Sequence, residues 1–167
     1  MKLRLARNKD ASRIISLIKK CYLDYPNCYL DVKNDSPELM SVFTYFKEKN
    51  GKFWVYETNN KVIGCMGYLP MSQKYIEIHK LYIDKKYRNK GLAKKLILKV
   101  ENIAAKQNFK YITLWTDTRF KEAHEMYRKL NYKKSKKTRK LYDISNTSEY
   151  NFKNKLIKYS YRPICFQ

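Results

Sequence analysis

Arg88-Asn89-Lys90-Gly91-Leu92-Ala93 is the stretch of this 167-residue chain whose residue types and spacing point most directly to chemistry. An alternating run ends at Ile83-Asp84, a short basic loop follows, and from Leu92 apolar residues recur at helical spacing. A strand, a glycine-containing loop and a helix start place successive backbone N–H groups and the positive end of a helix dipole at one point. Such a site suits a pyrophosphate. The GxxxxGK[ST] pattern and the three-glycine dinucleotide fingerprint are both missing, so ordinary nucleotide-triphosphate and nicotinamide readings find no support. The surrounding segment KKYRNKGLAKKL carries six Lys or Arg in twelve residues, which leaves a nucleic-acid surface as the competing reading.

Other reactive side chains offer less. Cys21, Cys28, Cys65 and Cys165 form no CxxC pair, and His79 and His124 lack zinc spacing, so a metal or disulfide framework is not expected. Cys65, inside VIGCMGYLPM, reads as a buried structural thiol, and His79 as a structural strand residue. The net charge is +22, with 12 basic and 7 acidic residues up to position 70 and 25 and 8 beyond it, so an anionic partner is expected in the second half. Lys outnumbers Arg 29 to 8, which an AT-rich coding sequence would also produce.

The elements that must position the loop can be read from patterning. LRLA is a short strand; Asn8 or Asp10 caps a helix with Ile14, Ile15, Ile18 and Tyr22 on one stripe. Asp35-Ser36-Pro37-Glu38 starts a second helix, with Leu39, Val42, Phe43 and Phe46 apolar, stopped by Asn50-Gly51. FWVYET and KVIGCMGYL flank Asn59-Asn60 as a β-hairpin, and YIEIHKLYID is a third strand. The helix from Leu92 carries Leu96, Ile97, Val100, Ile103 and Ala104 inward. The strand YITLW and a helix with Ala123, Met126, Tyr127 and Leu130 follow, then strand-like pieces at 132–142 and 155–161. Residues 133–154 are polar enough to hold a flexible loop. The pattern predicts an α/β (α+β) fold: one domain over 1–167 with a mixed, mostly antiparallel sheet, helices on both faces, a parallel central strand pair within 75–116, and a basic C-terminal portion, 133–167. No run approaches the roughly 18 to 20 apolar residues of a membrane span, and a cytoplasmic protein is expected.

In this setting Arg88, Gly91 and Ala93 resemble the acetyl-CoA loop of the GNAT superfamily of N-acetyltransferases: Arg or Gln, two residues, Gly, one residue, Gly or Ala. LYID and YITLWTD are similar to the strands on either side of that family's loop and helix, and AHEMYRKLNY to its "A-x-x-x-Y-x-K-x-G-F" segment. The chain departs from the family pattern at Phe120, where an asparagine often touches the cofactor, and at Asn131, where a glycine is usual. Asn131 is the milder change, since asparagine tolerates left-handed backbone.

The resemblance implies the GNAT fold, acetyl-CoA as co-substrate and no metal, with an amine attacking the thioester directly. It implies cofactor contacts from Leu81, Tyr82, Ile83, Arg88, Asn89, Lys90, Gly91, Leu92 and Ala93, a strand N–H near Leu81–Ile83 for the acetyl oxygen, and Tyr127 as general acid toward the thiolate. Glu77 is the candidate general base; a solvent-facing strand residue paired with a lysine is the other reading. A lysine amine of pKa about 10.4 gives up about 4.6 kcal/mol to become neutral at pH 7, against about 1.1 for an α-amine near 7.8, so a base matters more to the first.

The acceptor, a small molecule or a protein, is not legible. Tyr22, Asp24, Tyr25, Tyr29 and Asp31 are the polar or aromatic candidates within residues 21–40, where acceptor pockets of the family lie. A positive protein field disfavours polyamines and other polycations unless a local acidic pocket intervenes. The competing function is a basic nucleic-acid-binding protein without catalytic activity, although no RNP, helix-turn-helix or zinc-finger signature is present. Association with nucleic acid or the ribosome through the basic C-terminal portion, and homodimerisation, are left open.

Overall fold

The computed structural model describes residues 1–156. A seven-stranded sheet contains β1 (Lys2–Leu5), β2 (Lys52–Thr58), β3 (Lys61–Pro70), β4 (Tyr75–Ile83), β5 (Tyr111–Asp117), β6 (Lys133–Lys140) and β7 (Ser148–Lys155), in the spatial order β1-β2-β3-β4-β5-β7-β6. Every neighbouring pair is antiparallel except β4–β5, the expected parallel pair. The helices are α1 (Ala11–Tyr22), α2 (Val42–Glu48), α3 (Leu92–Lys106) and α4 (Lys121–Lys129). Ile14, Leu17 and Ile18 of α1 and Phe46 of α2 pack with Val55 and Cys65 on one face of the sheet. On the other, Leu96, Ile97 and Val100 of α3 and Tyr127 of α4 pack with Ile76, Ile112 and Phe152.

Asparagine does much of the turning in a chain with four glycines. Among the described residues, the non-glycine positions with positive φ are eight asparagines and Lys80. Asn59 and Asn60, at φ 47 and 57°, form the tight β2–β3 hairpin; Asn131, at φ 66°, ends α4 where a glycine would otherwise be expected. The short amide side chain lowers the cost of this region, which for other L-residues is about 1–2 kcal/mol. Lys80 has no such excuse, and it sits inside β4.

The register explains it. Tyr82 pairs with Cys65 and His79 with Gly67, so β4 carries one extra residue opposite Met66, a β-bulge at Lys80–Leu81. The bulge resets the alternation of side chains. Ile76 and Ile78 point into the core beneath α3 and α4; after the bulge Leu81 and Ile83 return to that side and Tyr82 joins the other. The Lys80 ammonium is pinned by Ser36 Oγ at 2.6 Å and Glu38 at 3.2 Å, which holds the bulge against the segment before α2.

Several expectations shift. Asn8 caps α2, its Oδ1 accepting from the Phe43 and Thr44 N–H groups at 2.9 and 3.2 Å. Asp10, at the start of α1, accepts from the Arg7 N–H and binds Arg4 and Arg13 instead of capping α1. The second helix opens as a 3-10 turn at Pro37–Ser41. β7 lies at Ser148–Lys155, in the stretch read as able to hold a flexible loop; it meets the strand expected at 155–161 only at Lys155, and positions 157–161 lie outside the described residues. The cross-strand partners decide this, because Phe152 fills the core and Asn151 bonds Thr113 Oγ1 and the Leu114 carbonyl. Among the described residues no helix is long and apolar enough to cross a membrane.

Candidate active site

β4 and β5 pair only from Tyr75 to Ile78 against Tyr111 to Leu114. Beyond that β4 continues along β3 and β5 along β7, so the sheet parts between them. Two clefts meet in the gap. One, of about 290 Å³, is lined by Leu81, Tyr82, Ile83, Arg88, Asn89, Gly91, Leu92 and Ala93, among others. The other, of about 420 Å³, holds Glu77, His79 and residues of the loops before α2 and between β6 and β7. Leu81, Tyr82, Phe120, Ala123 and Tyr127 line both.

The smaller cleft contains eight of the nine residues expected to bind the cofactor; Lys90 is exposed, its ammonium 5.3 Å from the centre of the Tyr87 ring. Asp84 builds the loop: its Oδ1 accepts from the Lys86 N–H at 3.0 Å and its Oδ2 meets Lys20 at 2.6 Å. Asn89 and Gly91 take positive φ, 60 and 72°, and turn the chain into α3. The first helical bond runs from the Lys95 N–H to the Gly91 carbonyl, leaving the N–H groups of Leu92, Ala93 and Lys94 without helical acceptors. A Cβ added to Gly91 would meet nothing within 4 Å, so the glycine faces open space over those donors.

Arg88 has a second occupation. Its Nε donates to the Ile83 carbonyl at 3.1 Å and its guanidinium pairs with Asp24 at 2.8 Å, so it clamps the loop to the end of α1. Asp24, one of the acceptor candidates, is therefore a loop anchor, bound also by Lys85 at 3.0 Å. Tyr22 and Tyr29 do line the larger cleft, Tyr25 lines the smaller one, and Asp31 bonds Asn34. Phe120, at the start of α4, packs on Tyr25 and Tyr22 with ring centroids 4.5 and 6.0 Å apart.

Tyr127 is 5% exposed, and its hydroxyl has no hydrogen-bond partner among the described residues. Burial raises its pKa well above that of a free phenol, so the group holds its proton. Glu77 lies across the junction on β4, its side chain 13% exposed and beside His79 Nε2 at 3.2 Å; among the described residues no lysine pairs with it. Burial pushes its carboxyl up, with Arg139 opposing and Glu149 reinforcing the shift. Burial, with the Lys80 and Arg139 charges, lowers His79 to about 4, so its ring is neutral at pH 7. His79 is thus a neighbour of the acid, not its counter-charge.

The far wall of the larger cleft was not visible in the sequence. Arg139 on β6 pairs with Glu149 on β7 at 2.7 Å and lies 4.4 Å from the centre of the Trp115 ring. Asp117 is buried with Arg119, whose Nε is 2.9 Å from Oδ1 and whose Nη1 donates to the Asn27 carbonyl at 2.6 Å. His124 Nε2 bonds the Asp117 carbonyl at 2.9 Å and steadies α4 behind Tyr127. Cys21, Cys28 and Cys65 are free and buried, and burial raises all three thiol pKa values; Cys165 lies outside the described residues. Among the described residues no group of three or more His, Cys, Asp or Glu is arranged to hold a metal.

A GNAT-family acetyltransferase from Staphylococcus aureus Mu50 superposes with a TM-score of 0.80, covering 93% of this chain and 99% of that one at 22% identity. YncA of Salmonella typhimurium, solved with its cofactor acetyl-CoA, gives 0.71 over 98% of both chains at 13% identity. The sequence model of the Acetyltransferase (GNAT) family matches residues 13–132, and the chain belongs to that family. Human N-acetyltransferase 8 is 31% identical over 97 residues, 55% of this chain and 43% of that protein. The chain spans less than half the length of that curated relative.

Proposed function

We propose that this protein transfers the acetyl group of acetyl-CoA to a primary amine, of a small molecule or a protein, by direct attack on the thioester. One observation carries the reading: the anion-cradling cleft and the larger cleft share a wall at which the unpartnered Tyr127 hydroxyl sits. Family membership and the acetyl-CoA of the Salmonella neighbour support the co-substrate.

In this reading the N–H groups of Gly91, Leu92, Ala93 and Lys94, with the dipole of α3, hold the pyrophosphate. Arg88 keeps the loop in shape, and Lys90 and Lys94 supply charge. The bulge at Lys80–Leu81 offers β4 backbone to the acetyl oxygen. Glu77 takes the proton of the attacking ammonium, directly or through one water; its burial raises its proton affinity toward that of the amine. As the C–N bond forms and the C–S bond breaks, Tyr127 gives its proton to the thiolate. Three free buried thiols suit a reducing compartment such as the cytoplasm.

Calorimetry with acetyl-CoA tests the first half of this reading and release of free CoA on adding amines the second. Saturable binding is expected; no heat of binding at near-millimolar acetyl-CoA would overturn it.

A further inference from the structure

The larger cleft inverts the charge of the molecule around it. Of 15 acidic residues in the chain, five line it (Asp35, Glu77, Asp117, Asp143 and Glu149); of 37 basic ones, Lys80 and Arg139 do. Pairing sorts them further. Asp117 is matched by Arg119, Glu149 by Arg139, and Lys80 by Glu38. Glu77, Asp35 and Asp143 have no cation in ion-pair contact among the described residues. Removal from water, then the charges of Asp143 and Asp31, push the Asp35 carboxyl up, and the Ile144 N–H and the Lys80 charge offset only part of this.

Their placement has an order. Glu77 is on the floor. Asp35 is exposed, and Asp143 half-buried, on two loops that Tyr29 and Ser145 join at the mouth. An independent observation falls in the same space: Tyr127, 95% buried, lines it with a hydroxyl that has no hydrogen-bond partner among the described residues. The reacting end of a ligand is thus fixed at the floor, and two unmatched carboxylates await a second group nearer the rim.

We propose that the acceptor is a small aliphatic polyamine, minimally a diamine, whose second ammonium sits against Asp35 and Asp143 while the first is acetylated at Glu77 and Tyr127. This rests on the acetyl transfer proposed above. The field of a +22 protein is screened beyond about 8–10 Å at physiological salt, so within the cleft the local carboxylates decide. Acetylation converts one ammonium into a neutral amide; of the two protons that nitrogen loses, one leaves through Glu77 to solvent and the other restores the proton Tyr127 gives to the CoA thiolate. The product then holds one charge fewer and leaves more readily.

The test uses the whole protein and two probes of equal length, 1,4-diaminobutane and n-butylamine, with release of free CoA as readout. A charge-assisted contact at the rim should give the diamine a kcat/KM about 10- to 100-fold higher. The Asp35→Asn/Asp143→Asn double variant should raise KM for the diamine about tenfold and change kcat less than about twofold. Equal kcat/KM for the two amines, or an unchanged diamine KM in the folded double variant, would overturn the proposal. So would acetyl-CoA binding by calorimetry with CoA release from neither amine. The amine comparison needs no variant and decides alone if the double variant does not fold. Failure of acetyl-CoA to bind is a separate result that removes the acetyl-transfer reading and this proposal with it.

Discussion

Ser145 and Tyr29 are 116 residues apart in sequence and bonded twice. Ser145 Oγ accepts from the Tyr29 N–H at 2.7 Å and donates to the Tyr29 carbonyl at 2.9 Å. One buried hydroxyl therefore ties the loop after α1 to the loop between β6 and β7, the two walls at the mouth of the larger cleft. Ser145→Ala leaves a backbone donor and acceptor unpaired, a cost of about 1–3 kcal/mol. It should raise KM for the amine several-fold more than Kd for acetyl-CoA; steady-state kinetics and calorimetry on one preparation check the contrast.

Gly91→Val probes the anion cradle. Open space surrounds the position, so the fold meets no clash, only left-handed backbone strain of about 1–2 kcal/mol at φ 72°. The added methyls enter the space above the free N–H groups. Acetyl-CoA binding is expected to weaken by at least tenfold while the melting temperature falls by only a few degrees; equal losses on both measurements would speak for mere unfolding.

Removing the Tyr127 hydroxyl separates chemistry from packing. Because the hydroxyl has no partner among the described residues, Tyr127→Phe leaves none of them unsatisfied and should keep or slightly raise thermal stability. If the group protonates the thiolate, kcat falls by about 10²-fold or more with acetyl-CoA Kd nearly unchanged.

Glu77→Gln should lower kcat by a similar factor near pH 7. The wild-type rate should fall as pH drops through the raised pKa of Glu77, because the protonated acid cannot accept. In the variant that acid limb disappears, and the rate should climb with pH until the amine itself is neutral. A pH profile that keeps the original limb would move the base elsewhere.

Acid should unfold the protein in two stages. His79 is held at about 4, below its free value of 6.5, so stability present above 6.5 declines as pH falls toward 4, where the unfolded chain binds the proton and the folded one does not. Asp10 and Glu57 come next. Desolvation works to raise Asp10, and the Arg4 hydrogen bond is the largest effect at Glu57; Arg4 and Arg13 hold both at about 2, so their stabilisation is intact above about 4.5 and is lost as pH falls toward 2. Asp10→Asn should shorten the second stage and cost about 3 kcal/mol at pH 7, since Arg4 loses a buried partner. Denaturant titrations across pH 2–7 measure both stages.

The sequence by itself determined most of the smaller cleft. Its parts are local: a strand, a loop with Gly91 and the start of α3 lie within a dozen residues, where backbone geometry and helix polarity follow from neighbours in the chain. The asparagine turns were legible for the same reason. Tyr127 could be placed through the family resemblance, because its helix follows the next strand directly.

What tertiary structure alone decided is non-local. Alternation could not say which way Glu77 and Leu81 point, since the bulge at Lys80 is forced by pairing with β3 and reverses the pattern midway. Charge counting made the protein look repulsive to cations, yet folding gathers Asp35, Glu77 and Asp143 from three distant segments into one cleft. Arg88 was expected to contact the cofactor, and only the fold brings Asp24 beside its guanidinium as well. The strand at 148–154 was not legible because its polar residues gain their partners from β5 and β6 only once it is inserted between them. Local propensity reads neighbours along the chain; a sheet edge, a split strand pair and a cleft are made of neighbours across it.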